Sequence, residues 1–275
     1  MASRRTEKSV LITGAGRGIG KRLALGFAQA GMRVGLLARS QGELDLAKLE
    51  IEQVGGNALR LRADVRDLEQ VAAAVDRVRA VFGGLDALVC AAGVPGPIGP
   101  FVSSKPAVWL ATVEINLLGV VNACRAALPS MIERRAGKII AIAGPGAADS
   151  RPNFAAYAAS KAAVARFVEC LADEVREHNV QVNAMSPGGS YTYTTDEILN
   201  AGEDLAGRKE IEEAEQIRIT GGVAPDKQIQ LALFLASERS NHVSGKLLSV
   251  NDDWKRLERE NMRPDLFTLR RMQRT

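Results

Sequence analysis

The 275-residue sequence predicts an α/β protein, a single domain built on a doubly wound parallel sheet. Three observations point there. Short apolar runs recur along the chain, longer runs of helical pattern separate them, and the first apolar run leads through a glycine string into a helix. Continuous apolar runs suit strands covered on both faces. Regular strand–helix alternation with parallel crossovers places helices on either side of one sheet.

Taken in order, the expected strands are Ser9–Thr13, Arg33–Leu37, Ala58–Arg62, Ala87–Cys90, Lys138–Ile142, Val180–Met185 and Leu247–Val250. Helices are expected between them at Ile19–Ala30, Gln41–Val54, Leu68–Phe82, Ala107–Arg134, Phe154–His178 and Asp226–Ser237. The stretch from Thr192 to Gly222 breaks the alternation. It is long and acidic, with Glu197, Glu203, Asp204, Glu210, Glu212, Glu213 and Glu215. Long connections in compact domains are often lids, and a pair of solvated amphipathic helices is a compatible reading. No internal repeat or low-complexity linker divides the chain.

Composition excludes several classes. The net charge of +4 is a mild excess. Much of it sits in a C-terminal extension over 251–275, in Arg256, Arg259, Arg263, Arg270, Arg271 and Arg274. This reads as a solvated or subunit-packing tail, lying across a subunit boundary or over an active site, and not as a nucleic-acid arm. Aromatic residues are too scarce to form a base-stacking platform. Cys90, Cys124 and Cys170 have no metal spacing and read as buried free thiols of a reducing compartment. His178 and His242 lie far apart, so no metal site is expected. Met1 to Lys8 lacks the apolar core of a secretory signal, and no run is expected to reach the length of a bilayer span. The expected location is the cytoplasm, with a small-molecule substrate and neither nucleic acid nor membrane as partner.

The glycine string reads Thr13-Gly14-Ala15-Gly16-Arg17-Gly18-Ile19-Gly20. Glycines allow a tight turn and close backbone approach, and the helix N-terminus offers free N–H groups and a positive dipole end. A strand before and a helix after make this a site for a dinucleotide pyrophosphate. The second strand ends Gly35-Leu36-Leu37-Ala38-Arg39-Ser40, with no acid before Glu43. A carboxylate there would take the ribose diol. Arg39 pairs instead with a 2′-phosphate and Ser40 donates to it, with Arg17 as a second cation, so NADP is expected over NAD. Asp64, after the third strand, accepts from the adenine amino group or else caps a turn. Farther along, Tyr157 and Lys161 stand four residues apart on one helix face.

These residues, with Asn116-Leu117-Leu118-Gly119 and Pro187-Gly188 followed by Thr192, resemble the classical short-chain dehydrogenase/reductases from Ser9 to about Val250. The resemblance implies a three-layer α/β/α Rossmann fold with a seven-stranded sheet, assembled as a homotetramer or homodimer through its long fourth and fifth helices. It implies Tyr157 as acid/base and Lys161 as the cation that favours the phenolate and holds the nicotinamide ribose. Asn116 then anchors a water behind the lysine. Cofactor contacts run through Gly14, Gly18, Ile19, Gly20, Val65, Ala92, Pro187, Gly188 and Thr192.

Two departures stand out. After the fourth strand the chain reads Cys90-Ala91-Ala92-Gly93, where the family often has Asn-Asn-Ala-Gly, so amides that brace the sheet are missing. The family's catalytic serine lies thirteen residues before the tyrosine, and here that position is Gly144. A replacement donor comes from Ser150, Asn153, Ser190, Tyr191 or a bound water, or the vacated space suits a bulky substrate that brings its own hydroxyl, or ordinary turnover is lost. The leading expectation is an NADP(H)-dependent oxidoreductase acting on a polar ketone or secondary alcohol, sugar-like or a natural-product intermediate. The alternatives are a 3-oxoacyl thioester reductase and a catalytically impaired NADP(H)-binding protein.

Overall fold

The strands fall close to where apolar runs place them: β1 (Ser9–Thr13), β2 (Arg33–Ala38), β3 (Ala58–Arg62), β4 (Ala87–Cys90), β5 (Gly137–Ile142), β6 (Val180–Ser186) and β7 (Leu247–Ser249). The computed structural model describes residues 7–258 and 265–269. All seven strands join one parallel sheet in the order β3-β2-β1-β4-β5-β6-β7. Every residue of β1, β4 and β5 is buried, Ser9, Thr13 and Lys138 included, which is why these strands read mainly as apolar runs.

The helices are α1 (Gly18–Gln29), α2 (Gln41–Gln53), α3 (Leu68–Phe82), α4 (Pro106–Val113), α5 (Gly119–Arg134), α6 (Ala155–Glu174), α7 (Tyr193–Ala201), α8 (Glu203–Ala206), α9 (Arg208–Thr220) and α10 (Pro225–Leu235). On one face of the sheet, Leu23 and Phe27 of α1, Leu44 of α2 and Phe234 of α10 pack on Ile12 and Leu36. On the other, Val71 and Val78 of α3, Ala123 and Met131 of α5, and Val164 and Val168 of α6 pack on Leu11, Leu88 and Ile139. Strand order reverses between β1 and β4, so their carboxyl ends diverge and open a crevice.

Four expectations need correction. The helix expected over Ala107–Arg134 is divided by a π turn at Glu114–Leu118; the extra residue in that turn leaves no mark in composition. The whole run Pro106–Arg134 is long and apolar enough to cross a membrane by length and composition. Here its second half is a layer of the fold, with Val120, Ala123, Ala127 and Met131 buried against the sheet. The helix expected to reach His178 ends at Glu174, with a separate 3₁₀ turn at Arg176–His178. Cys170 is exposed, on the outward side of α6, whereas Cys90 and Cys124 are buried.

The acidic stretch after β6 folds as α7, α8 and α9, closed at its base by a bridge between Ser190 and Gly222. Its apolar residues Ile198, Ala206 and Ala214 pack with Phe154 and Tyr157. The C-terminal segment turns back on its own chain. Trp254 stacks on Phe234 with ring centroids 5.3 Å apart. The Leu247 amide donates to the Phe267 carbonyl at 2.7 Å, and the Leu269 amide to Glu169 Oε1 at 3.0 Å. The tail arginines 259, 263, 270, 271 and 274 lie outside the described residues.

Candidate active site

A cavity of about 670 Å³ lies at the carboxyl ends of the central strands. Its nucleotide end is made by the turn between β1 and α1. A Cβ at Gly20 would stand 2.2 Å from the Gly14 carbonyl oxygen, and one at Gly14 would stand 2.7 Å from the Ala92 backbone. Only glycine permits this turn to nest against the loop after β4. Arg17 occupies the N-cap of α1 and makes no side-chain cap bond, so the first-turn amides have no acceptor from that side chain. Gly14, Arg17, Gly18, Ile19 and Gly20 all line the cavity. This cradle fits the diphosphate of a dinucleotide.

The missing amides after β4 are replaced from β1. Thr13 Oγ1 accepts from the Ala91 and Ala92 amides at 3.2 and 3.3 Å. Val65 and Ala92 line the cavity, and Asn122 Nδ2 donates to the Val65 carbonyl at 2.9 Å, fixing that loop to α5.

Arg39, Ser40 and Asp64 line the cavity beyond the ends of β2 and β3. Ser40 is the N-cap of α2 and accepts from the Glu43 amide at 3.3 Å, with its O–H still free to donate. Asp64 forms a fork with Arg66, the shortest contact 2.7 Å, and this pairing holds its carboxyl below the usual range. The turn-capping reading of Asp64 therefore has its partner in the Arg66 amide at 3.0 Å. The sequence reading missed Glu43. It reaches back to Arg17 at 3.6 Å, and Arg17 also stacks over Tyr193 of α7 at 4.2 Å. Arg17 and Arg39 both line the cavity, Arg39 at the end of β2 and Arg17 beside Glu43.

At the other end stand Tyr157 and Lys161, with Pro187, Gly188 and Thr192 opposite. The Pro187 carbonyl accepts from Gln228 Nε2 at 2.7 Å, and Gln228 also donates to Ser190 Oγ at 2.6 Å. Arg22 of α1 donates to both Ser190 Oγ and Gln228 Oε1. Both bonds use the Ser190 oxygen as acceptor, so its O–H is left to donate, and Ser190 lines the cavity. Tyr191 Oη donates to Asp196 at 2.7 Å, and neither Tyr191, Ser150 nor Asn153 lines the cavity.

Lys161 is buried and donates to the Ile142 carbonyl at 2.8 Å; burial pulls it down to about 8. Its Nζ is 5.7 Å from the Tyr157 ring centroid. Burial raises the Tyr157 phenol above 10, and the cation that opposes this is Arg151. Burial is the larger influence on the phenol and outweighs the opposing charge of Arg151. Asn116 does not line the cavity. Its side chain accepts from the Val94 amide at 2.9 Å and donates to the Val94 carbonyl and Ser160 Oγ, each at 3.0 Å. It braces the loop after β4 from within the π turn with both amide N–H groups committed, which leaves one lone pair of Oδ1 for the expected water.

Gly144 is buried, and a Cβ there would lie 2.5 Å from Tyr157 Oη. The tyrosine hydroxyl occupies the space above it.

The relatives match this arrangement. Residues 8–202 match the model of the short chain dehydrogenase family. The chain is 32% identical over 244 residues to the 3-oxoacyl-[acyl-carrier-protein] reductase FabG of Thermotoga maritima, covering 89% of this chain and 96% of that one. Among solved structures, the actinorhodin polyketide ketoreductase with NADPH superposes with a TM-score of 0.82 at 29% identity, covering 91% and 97%. A gluconate 5-dehydrogenase from Burkholderia cenocepacia, in complex with NADP and tartrate, gives 0.78 at 30% identity, covering 89% and 94%. With the seven-stranded Rossmann sheet, the glycine turn and the Tyr157–Lys161 pair at one crevice, the chain belongs to the classical short-chain dehydrogenase/reductase family, whose chemistry is nicotinamide-dependent oxidoreduction.

Proposed function

We propose that the protein interconverts a ketone and a secondary alcohol on a polar substrate, sugar-like or a natural-product intermediate, using NADP(H). The observation that carries the reading is the sharing of one cavity by Tyr157, Lys161 and the uncapped N-terminus of α1. NADPH, when bound, supplies the hydride. Tyr157 then gives its proton to the carbonyl oxygen, and burial keeps the phenol in the protonated form that reduction requires at neutral pH. Lys161 holds the nicotinamide ribose hydroxyls. Pro187, Gly188 and Thr192 hold the nicotinamide amide and the diphosphate. The acidic lid and the hydroxyl of Thr194 at the cavity wall support a polar substrate. The assembly we propose is a homotetramer or homodimer, and the location the cytoplasm.

The assay is direct. Purified protein with NADPH and a panel of hydroxyketones should oxidise the cofactor. Inertness toward every ketone, and toward every secondary alcohol with NADP⁺, would remove the reading. Arg39→Ala should cost NADPH at least about tenfold in affinity, the scale of one lost charge-assisted phosphate contact, and leave NADH unaffected. Equal use of NADH and NADPH by the wild type would overturn the cofactor assignment.

Two specific observations keep other readings in view. The Thermotoga relative is a 3-oxoacyl thioester reductase, but the lid here is acidic, whereas a carrier's phosphopantetheine calls for basic docking groups. Gly144 offers no side-chain donor, which favours a protein that binds NADP(H) without turnover. The ketone panel separates that reading from the proposed one.

A further inference from the structure

Between β5 and α6 the loop carries Arg151, which the sequence gives no reason to single out. The structure turns it inward. Its side chain is only 9% exposed, and it lines the same cavity as Tyr157, Lys161 and Gly144. The guanidinium carbon lies 4.0 Å over the Phe154 ring and 5.3 Å from the Tyr157 ring centroid. Glu210, from α9 of the lid, accepts from Nε at 2.8 Å and from Nη2 at 2.7 Å. A two-point pairing of this kind fixes the plane of the guanidinium. It uses the Nε–H and one of the two Nη2–H groups and leaves Nη1 without a hydrogen bond among the described residues.

An arginine buried at the cavity wall, held by a two-point clamp and stacked on an aromatic ring, is a donor with little freedom left to lose. Clamping by Glu210 makes the pair neutral as a whole. The remaining N–H edge therefore suits an uncharged oxygen better than an anion, which would meet the Glu210 carboxylate as well. Gly144, beneath Tyr157 Oη, has no hydroxyl to steady such an oxygen.

We propose that Arg151 donates to the reacting oxygen of the substrate from Nη1, with Glu210 as the residue that positions it. This rests on the ketone–alcohol reading above. The guanidinium keeps all its protons throughout; the proton that reaches the oxygen is that of Tyr157. Arg151 acts only by stabilising charge as it develops there. Because Glu210 belongs to the lid, the donor is aimed only when α9 is seated.

The test uses full-length protein, NADPH and dihydroxyacetone, erythrulose and fructose as probes. Arg151→Met alone strands the Glu210 carboxylate, so the informative variant is Arg151→Met with Glu210→Leu, which removes both charges together. This double variant should bind NADPH within twofold of wild type and melt no lower, yet lose roughly 10²–10³-fold in kcat with KM changed far less. Arg151→Lys, which restores one charged donor, should recover at least about tenfold of that loss. A double variant that keeps kcat within threefold would show that the pair only ties down the lid, and would overturn the proposal while leaving the ketone reading intact. An inert wild type would remove both.

Discussion

Tyr157→Phe is expected to lower kcat by about 10²–10⁴-fold, the range that positioned acid–base groups contribute, while NADPH affinity stays within twofold. Only the hydroxyl is removed, and the ring still packs with Phe154 and Ile198 beneath the lid. The fold and the cradle at α1 are untouched, so melting temperature should be unchanged. The pH dependence follows from the same burial. The phenol sits above its usual range, so it remains a proton donor well past neutrality, and no alkaline limb from tyrosine is expected below 10. Lys161 sits near 8. Reduction rates should therefore fall as pH rises through about 8, where the lysine loses its charge. A rate of alcohol oxidation with NADP⁺ that rises with pH through this window would show that Tyr157 titrates there and works as a phenolate in that direction. NADPH binding by fluorescence and stopped-flow turnover across pH 6–10 read both quantities.

Lys161→Met is expected to act in two directions. On the proposed reading, in which this group holds the ribose and charges the site, turnover should fall by at least about 10²-fold. Stability should rise. A lysine held at about 8 instead of 10.5 is about 3 kcal/mol worse off charged than in water; replacing it with an apolar chain of similar length lifts that burden, less the bond to Ile142. The net gain should be on the order of 1–3 kcal/mol at pH 7. Between pH 8 and 10.5 the unfolded chain binds a proton at this site that the folded chain has released, so the wild type gains stability there as pH rises. The advantage of Lys161→Met should accordingly shrink across that window. Urea melts of the two proteins at pH 7 and 9.5 measure it. A variant less stable than wild type at pH 7 would show that the Ile142 bond outweighs the desolvation of the charge.

The strands were legible because burial on both faces favours apolar residues, and β1, β4 and β5 are buried at every position with only Ser9, Thr13 and Lys138 polar. The glycine turn was legible because steric exclusion at Gly14 and Gly20 leaves no other residue. Helix spacing likewise set Tyr157 and Lys161 on one side. It did not reveal what the ammonium touches, because the Ile142 carbonyl comes from a neighbouring strand. Glu43 and Arg151 stayed hidden for a related reason. Each owes its place to a tertiary partner, Arg17 in one case and Glu210 in the other, 59 residues along the chain from Arg151. The π turn was illegible because it adds a residue without altering the apolar pattern around it.

A seven-stranded parallel sheet leaves two open margins, each a row of amides and carbonyls able to recruit a foreign strand. At the β3 margin, Arg60 and Arg62 supply charge that discourages such pairing. At the β7 margin the chain uses its own return segment: the Phe267 carbonyl takes the Leu247 amide while its ring joins the core of that face. The terminal segment thereby acts as a selvedge, closing the fabric where another chain would otherwise be woven in.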